Sequence, residues 1–248
     1  MTDINKHLAT LKLAGIAKSL EIRNQFALEN QLSYIDFLKL LIEDELTNRQ
    51  TNSFKHRFQK SKLNTDKTID SYDFTYQPKL DKKLIRDLAA GQYIQKASNI
   101  ILMGPPGVGK THIANALGIE AVKQGYKVLF IHASEVIERL FSAKGDGSYA
   151  TQLKTMVSAD VLIIDELGFK KINLQGVDDF FEVIRQRYEV KPIILTTNRS
   201  FEDWGAIFGD QVLASAIIDR LIHHSHVVKI TGKSYRTKEL AEVKPADN

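Results

Sequence analysis

The chain of 248 residues contains no cysteine. That excludes a disulfide framework and any metal site built on thiolates. No apolar run approaches the roughly 18 unbroken residues that a membrane helix needs. The first residues, MTDINKHLATLKLAG, lack the charged, apolar and small-residue order of a secretory leader. Internal repeats and low-complexity tracts are also missing. A soluble cytoplasmic protein that makes no use of a membrane is therefore expected. What is present is an apolar share of 43%, ample for a buried core. The length suits one ordinary domain plus a smaller one.

The net charge is only +4, but it is unevenly placed. Residues 1–98 carry sixteen Lys and Arg against twelve Asp and Glu, whereas residues 99–248 carry eighteen of each. The surplus thus precedes residue 99. Within it, RQTNSFKHRFQKSK holds Arg49, Lys55, Arg57, Lys60 and Lys62 and no acid. A basic stretch interleaved with Phe54 and Phe58 can lie along the phosphates of DNA. The same pattern also suits a solvated helix face whose aromatics enter a core.

The N-terminal part reads as helical. Leu8, Leu11, Ile16 and Leu20 recur at nearly helical spacing. Residues 30–33 break the pattern, and Ser33 with Asp36 can cap the next helix. Tyr34, Leu38, Leu41 and Ile42 form one apolar stripe on it. Residues 64–80 are polar, include Pro78 and resemble a linker. The expected division is a helical N-terminal domain at 1–66, a linker and entry segment at 67–98, a core at 99–240 and a frayed tail at 241–248.

From residue 99 the pattern changes. Apolar runs of strand length, Ile100–Met103, Val128–Ile131, Val161–Ile164, Ile193–Thr197 and Val227–Ile230, alternate with helical segments. Runs apolar on both faces with helices between them predict a parallel α/β sheet covered on both sides. Gly125 suits the end of the helix that begins near Lys110, and Ser134 suits a cap for the following one, with Glu135 in its first turn.

Between the first strand and its helix lies Gly104, Pro105, Pro106, Gly107, Val108, Gly109, Lys110, Thr111, then His112. This fits G-x-x-x-x-G-K-[ST], a loop whose backbone N–H groups cradle phosphates. The helix adds its positive N-terminal end. Lys110 can reach the β- and γ-phosphates, and the Thr111 hydroxyl can ligate Mg²⁺. ATP and Mg²⁺ are the expected cofactors. Asp165 and Glu166 end the apolar run Val161–Ile164, as the second acidic motif of such a site requires. Asp165 can hold Mg²⁺, and Glu166 can act as general base toward water. Asn198 ends another strand, where ligand crevices of open parallel sheets lie. It can bond a γ-phosphate or the water, or simply form a turn.

Together these pieces resemble the AAA+ ATPases. GPPGVGKTHIANALG, LIIDELGF, RYE, ILTTNRSFEDWG and IIDRLIHHSHVVKITGKSYR are similar to the IstB family, as are LATLKLAGIAKSLE and SYIDFLKLLIEDEL. These are helper ATPases of two-gene bacterial transposons, related to DnaC-type helicase loaders. The resemblance spans residues from about 5 to 236. It implies a P-loop fold with strand order 5-1-4-3-2, and no helical lid is expected in the twelve residues after Arg236. It also implies ATP-dependent assembly of a homo-oligomer on duplex DNA and stimulation of a partner transposase. Arg220 matches the arginine that a neighbouring subunit offers to the γ-phosphate. Arg236 also matches a family residue. Arg185 and Arg187 are weaker finger candidates, expected on a solvated helix face. A helicase-loading role is the alternative reading, and a nucleotide switch without turnover is a third.

Three features stay apart from this scheme. His223, His224 and His226 could supply metal ligands, but no fourth partner has clear spacing. Trp204 reads as a packing residue. The KGDG turn at residues 144–147 reads as a surface loop with a possible DNA contact.

Overall fold

A computed structural model describes residues 2–169, 172 and 174–237 of the chain. The tail expected at 241–248 lies outside the described residues. Two compact units result, one ending at His56 and one beginning at Arg57.

The first unit is helical: α1 (Thr2–Thr10), α2 (Ala14–Glu29) and most of α3 (Tyr34–Ser61). The pattern running from Leu8 to Leu20 is two helices, because Lys12 turns left-handed at φ 56 and Leu13 N–H returns to the carbonyl of Leu8 at 2.8 Å. Ser33 does cap α3, accepting from Asp36 N–H at 3.1 Å. The stripe on α3 is different from its expected form. Leu41 is buried, whereas Tyr34, Leu38 and Ile42 are exposed. The reason is that α2 meets α3 along a polar seam instead. Glu45 Oε2 accepts the N–H groups of Gly15 and Ile16 at 2.6 and 3.2 Å. A carboxylate is thereby set on the positive end of α2. Arg49 holds its other oxygen at 2.7 Å. Farther along, Arg23 grips Asp44 with two bonds of 2.8 Å, which lowers that carboxyl to about 2.

The second unit carries five strands: β1 (Asn99–Met103), β2 (Val128–His132), β3 (Val161–Leu167), β4 (Ile193–Thr197) and β5 (Ser225–Lys229). All neighbours run parallel in the order β2-β3-β4-β1-β5, which is the expected 5-1-4-3-2 read from the other edge. Helix α6 (Lys110–Lys123) packs on the inner strands of one face. On the other face Leu129, Leu162, Ile164 and Leu195 join α7 (Ala133–Gly145), α8 (Tyr149–Ser158), α9 (Leu174–Arg187), α10 (Trp204–Phe208) and α11 (Gln211–Ile222) in one core. Trp204 is fully buried there against Phe201 and Phe208. Gly125 follows α6 at φ 99, as expected of its stop. Ser134 is not a cap: α7 starts one residue before it, with His132 as the boundary residue.

Residues 64–80 are not a free tether. Their polar groups are spent on the core. Asn115 of α6 accepts from Asn64 N–H at 2.8 Å and donates to the carbonyls of Asn64 and Lys67 at 2.8 and 3.0 Å. The Tyr72 hydroxyl donates to Val108 O at 2.9 Å, and Gln77 donates to Lys233 O at 2.9 Å. Two short helices, α4 (Lys82–Ala89) and α5 (Gln92–Gln95), then lead to β1.

The polar seam of the first unit depends on a close approach that only glycine permits. A Cβ on Gly15 would stand 2.6 Å from Glu45 Cα, a backbone atom that cannot swing aside. Gly15→Ala is expected to cost about 1–3 kcal/mol, as overpacking does. Hydrogen exchange on the full chain should show faster exchange across α1–α3 and unchanged protection in β1–β5.

Candidate nucleotide site

The phosphate-type loop joins β1 to α6. Gly107 and Gly109 take left-handed backbone, φ 80 and 94, and flank Val108, the alternation that turns successive N–H groups inward. Other chain segments press on the loop from both sides. A Cβ on Gly109 would lie 2.4 Å from the Tyr72 ring, and one on Gly107 would lie 2.0 Å from Ser234 Oγ. Tyr235 N–H donates to Gly107 O at 2.9 Å.

A cavity of about 420 Å³ opens over this loop, within the size range of ligand pockets. Pro106, Gly107, Val108, Gly109, Lys110, Thr111 and His112 line it from the loop and α6. Glu166, Thr196 and Asn198 line it from the strand ends, and Arg236 from the segment after β5. Gly104 and Pro105 contribute carbonyls, which accept from Lys110 Nζ at 2.7 and 2.8 Å. Burial lowers the Lys110 pKa, Asp165 and Glu166 raise it, and Arg236 lowers it further. His112 Nε2 meets Thr68 O at 2.7 Å, and burial holds its pKa down. The segment read as a linker supplies Lys67, Ser71, Tyr72, Asp73 and Gln77 to the same cavity. Burial pushes the Tyr72 phenol up to about 12. Gln77 is nearly enclosed, and its Oε1 has no hydrogen-bond partner among the described residues.

Beneath the loop, Asp165 is fully buried and receives two hydroxyls. Thr111 Oγ1 donates to it at 2.9 Å, and Thr196 Oγ1 at 2.6 Å. Thr196 Oγ1 in turn accepts the N–H of Glu166 at 2.9 Å. The β3–β4 register shifts between Ile164 and Leu167, and Glu166 there takes φ 62. This bulge breaks the alternation of the strand and leaves Asp165 inside and Glu166 exposed toward the cavity. Sequence reasoning did not single out Thr196. A β-branched residue in a strand carries no local sign that its hydroxyl joins two acids.

His132, at the end of β2, was also missed. Its Nδ1 stands 3.8 Å from Asp165 Oδ2 and 3.7 Å from Glu166 Oε2. It lines a second cavity, of about 260 Å³, that adjoins the first through Glu166 and Phe169.

The arginine candidates separate. Arg220 does not line the cavity of its own chain. Its guanidinium lies 5.0 Å from the Phe181 ring centre and 6.0 Å from that of Tyr188, and donates to Ala216 O at 3.0 Å. Arg187 is not on a solvated face. It is 1% exposed and donates to the carbonyls of Met156, Val157, Ala159 and Pro192 at 2.7–3.1 Å. A fixed guanidinium fork suits three carbonyls at the end of α8 together with that of Pro192 before β4, and burial lowers its pKa to about 9. Arg185 is held by Glu182 at 2.7 Å. Among the basic residues of the first part, Arg49 is committed to Glu45 and Lys62 to Glu135 at 2.9 Å. Lys55 and Lys60 are exposed and form no ion pair among the described residues, and Arg57 is half-buried. Lys144 of the KGDG stretch lies in α7 and is paired with Asp179 at 2.8 Å.

A loop between strand and helix, an acid pair under it and a polar strand end beside it define a P-loop nucleotide site. Comparison with known proteins agrees. The family described as IstB-like ATP binding protein matches residues 6–243. The chain belongs to this family. A protein of Geobacillus stearothermophilus named as an ATP-binding protein of insertion sequence IS5376 is 42% identical over 98% of both chains. Its counterpart named for IS21 in Pseudomonas aeruginosa is 41% identical over 96% of this chain and 90% of its own. Among solved structures, a DnaC helicase loader superposes with TM-score 0.58 at 25% identity, over 67% of this chain and 97% of that one. AMPPCP-bound DnaA from Aquifex aeolicus shares the fold, with TM-score 0.59 at 23% identity over 73% of this chain and 55% of that one. The chain is thus an ATPase of the AAA+ fold, and no described helix is long and apolar enough to cross a membrane.

Thr196→Val keeps the shape of the strand but removes the bridge between Asp165 and Glu166. ATPase turnover should fall about 10–100-fold, the usual effect of losing a group that orients site ligands. Binding of a fluorescent ATP analogue, measured on the same preparation, should stay within a few-fold of wild type.

Proposed function

We propose that this protein is the ATP-dependent helper of a bacterial insertion sequence, assembling on duplex target DNA and stimulating a partner transposase. The observation that carries the reading is the hydrogen-bonded line Thr111, Asp165, Thr196, Glu166 beneath the phosphate loop. Support for the transposon context comes from the relatives named for insertion sequences, which match almost end to end.

In this reading ATP is the substrate, held by the backbone of residues 104–109, by Lys110 and by the start of α6. Thr111 and Asp165 are the residues that would hold Mg²⁺, which when bound offsets charge on the phosphates. Both are oxygen donors, as that ion requires. Glu166 takes a proton from the attacking water, and Asn198 orients that water or the γ-phosphate. Lys110 reaches toward the β- and γ-phosphate oxygens. Products are ADP and phosphate.

Arg220, away from its own cavity, is offered to the site of the next subunit, where a guanidinium stabilises the transferring phosphoryl group. Such a head-to-tail contact repeats without closing and builds an open helical array. Lys55 and Lys60, with Arg57, then contact DNA phosphates, and Arg49 and Lys62 contribute less because carboxylates already hold them. Phosphate contacts hold DNA without reading its sequence. Helicase loading is the second reading, and the superposition on a DnaC loader favours it. The insertion-sequence relatives cover more of the chain and share more of its residues, which tilts the balance to transposition.

Glu166→Gln should bind ATP, lose at least about 100-fold in phosphate release, and stay on duplex DNA longer than wild type in a mobility assay. Faster DNA release by that variant would contradict the cycle. Arg220→Ala should bind ATP normally yet lose about 1000-fold in DNA-stimulated turnover. Turnover equal to wild type would remove Arg220 from the finger role. Strand transfer by the cognate transposase, with and without this protein, separates the helper from the loader.

A further inference from the structure

His223, His224 and His226 stand close in sequence, and the fold brings a carboxylate to two of them from the turn after another helix. Glu189, in the turn after α9, brings Oε1 to 3.5 Å from His223 Nδ1 and to 3.5 Å from His224 Nε2. One donor atom from each of the three lies within 4.8 Å of the others, and all three residues are exposed. The two rings stand 4.1 Å apart, centre to centre. His226 is not part of the group. It lies within β5, paired with Ile100 of β1.

The spacing is informative. A carboxylate that simply bonded one imidazole would close to about 2.7–3.2 Å. Here the oxygen sits equally far from two imidazole nitrogens. Ligand atoms around a tetrahedral zinc ion, with bonds of about 2.0–2.1 Å, stand about 3.3–3.4 Å apart. The Tyr188 hydroxyl bonds His223 Nδ1 at 2.7 Å, a bond that an ion at that nitrogen would displace.

We propose that Glu189, His223 and His224 form a surface site for a divalent transition-metal ion of the zinc type, with water in the fourth position. Two imidazoles and one carboxylate suit zinc, cobalt or nickel and disfavour magnesium or calcium, which take oxygen ligands. The ion ties the turn after α9 to the end of α11 and the start of β5. It also competes with the Tyr188 phenol for His223 Nδ1, and Tyr188 is one of the two rings under Arg220. None of the three ligands lines the nucleotide cavity, so the site stands independently of the ATPase assignment.

The test is calorimetric titration of the tag-free full-length protein with zinc chloride. Wild type should show a saturable site that the double variant His223→Ala, His224→Ala loses. Glu189→Gln should weaken it at least tenfold. His226→Ala should keep it, and so should His132→Ala, which removes the imidazole nearest the nucleotide-site acids. Cobalt in place of zinc should give the intense visible absorption of a four-coordinate ion in wild type and not in the double variant. All substituted side chains are exposed, so circular dichroism should match throughout. The proposal is overturned if wild type shows no saturable zinc binding, or if the double variant takes up zinc as wild type does.

Discussion

One buried carboxylate organises the catalytic half of this molecule. Asp165 is closed off from solvent, and an isolated ion there would be costly. Two hydroxyls reduce that cost, one from the helix after the phosphate loop and one from the neighbouring strand β4. The bonds do more than solvate. They fix the position of α6 relative to β3 and β4 at the point where the loop must be held. Through Thr196 they also reach the backbone of Glu166. Loop, acid and strand end are therefore placed by the same few polar contacts in an otherwise apolar sheet.

The loop itself is stabilised by what lies on it. Tyr72 on one side and Ser234 with Tyr235 on the other fill the space that side chains on Gly107 and Gly109 would take. Both flanking segments come from outside the run that joins β1 to α6. The loop is consequently held by three parts of the chain, and the two flanking ones were not read as part of the site's motifs.

That division explains what could be read from sequence. The five strands, the phosphate loop and the acid pair were legible because each is a local pattern: apolar runs of strand length, a glycine spacing, two adjacent carboxylates; the strand order came from the family resemblance alone. Thr196, His132 and Tyr72 were not, since their roles come from residues far away in the chain. Arg187 was misread because a cation at a helix end usually faces water, and nothing nearby announces the carbonyls at the end of α8 that it meets. The polarity of residues 64–80 was read correctly but assigned to solvent, when its partners are Asn115, the phosphate loop and the segment after β5. The α3 stripe failed for a related reason. Its helix meets α2 through Glu45 and Asp44, so charge, not apolar periodicity, sets that seam.

The left-handed backbone of Glu166 bears on how robust the protein can become. A residue with a side chain held at φ 62 costs about 1 kcal/mol or more relative to its relaxed form. Glycine would relieve that cost but has no carboxylate. On the proposed general-base role of Glu166, selection for heat tolerance alone would thus favour a sturdier chain that no longer turns over its fuel. Any lineage that keeps the acid keeps a spring wound at its own working centre.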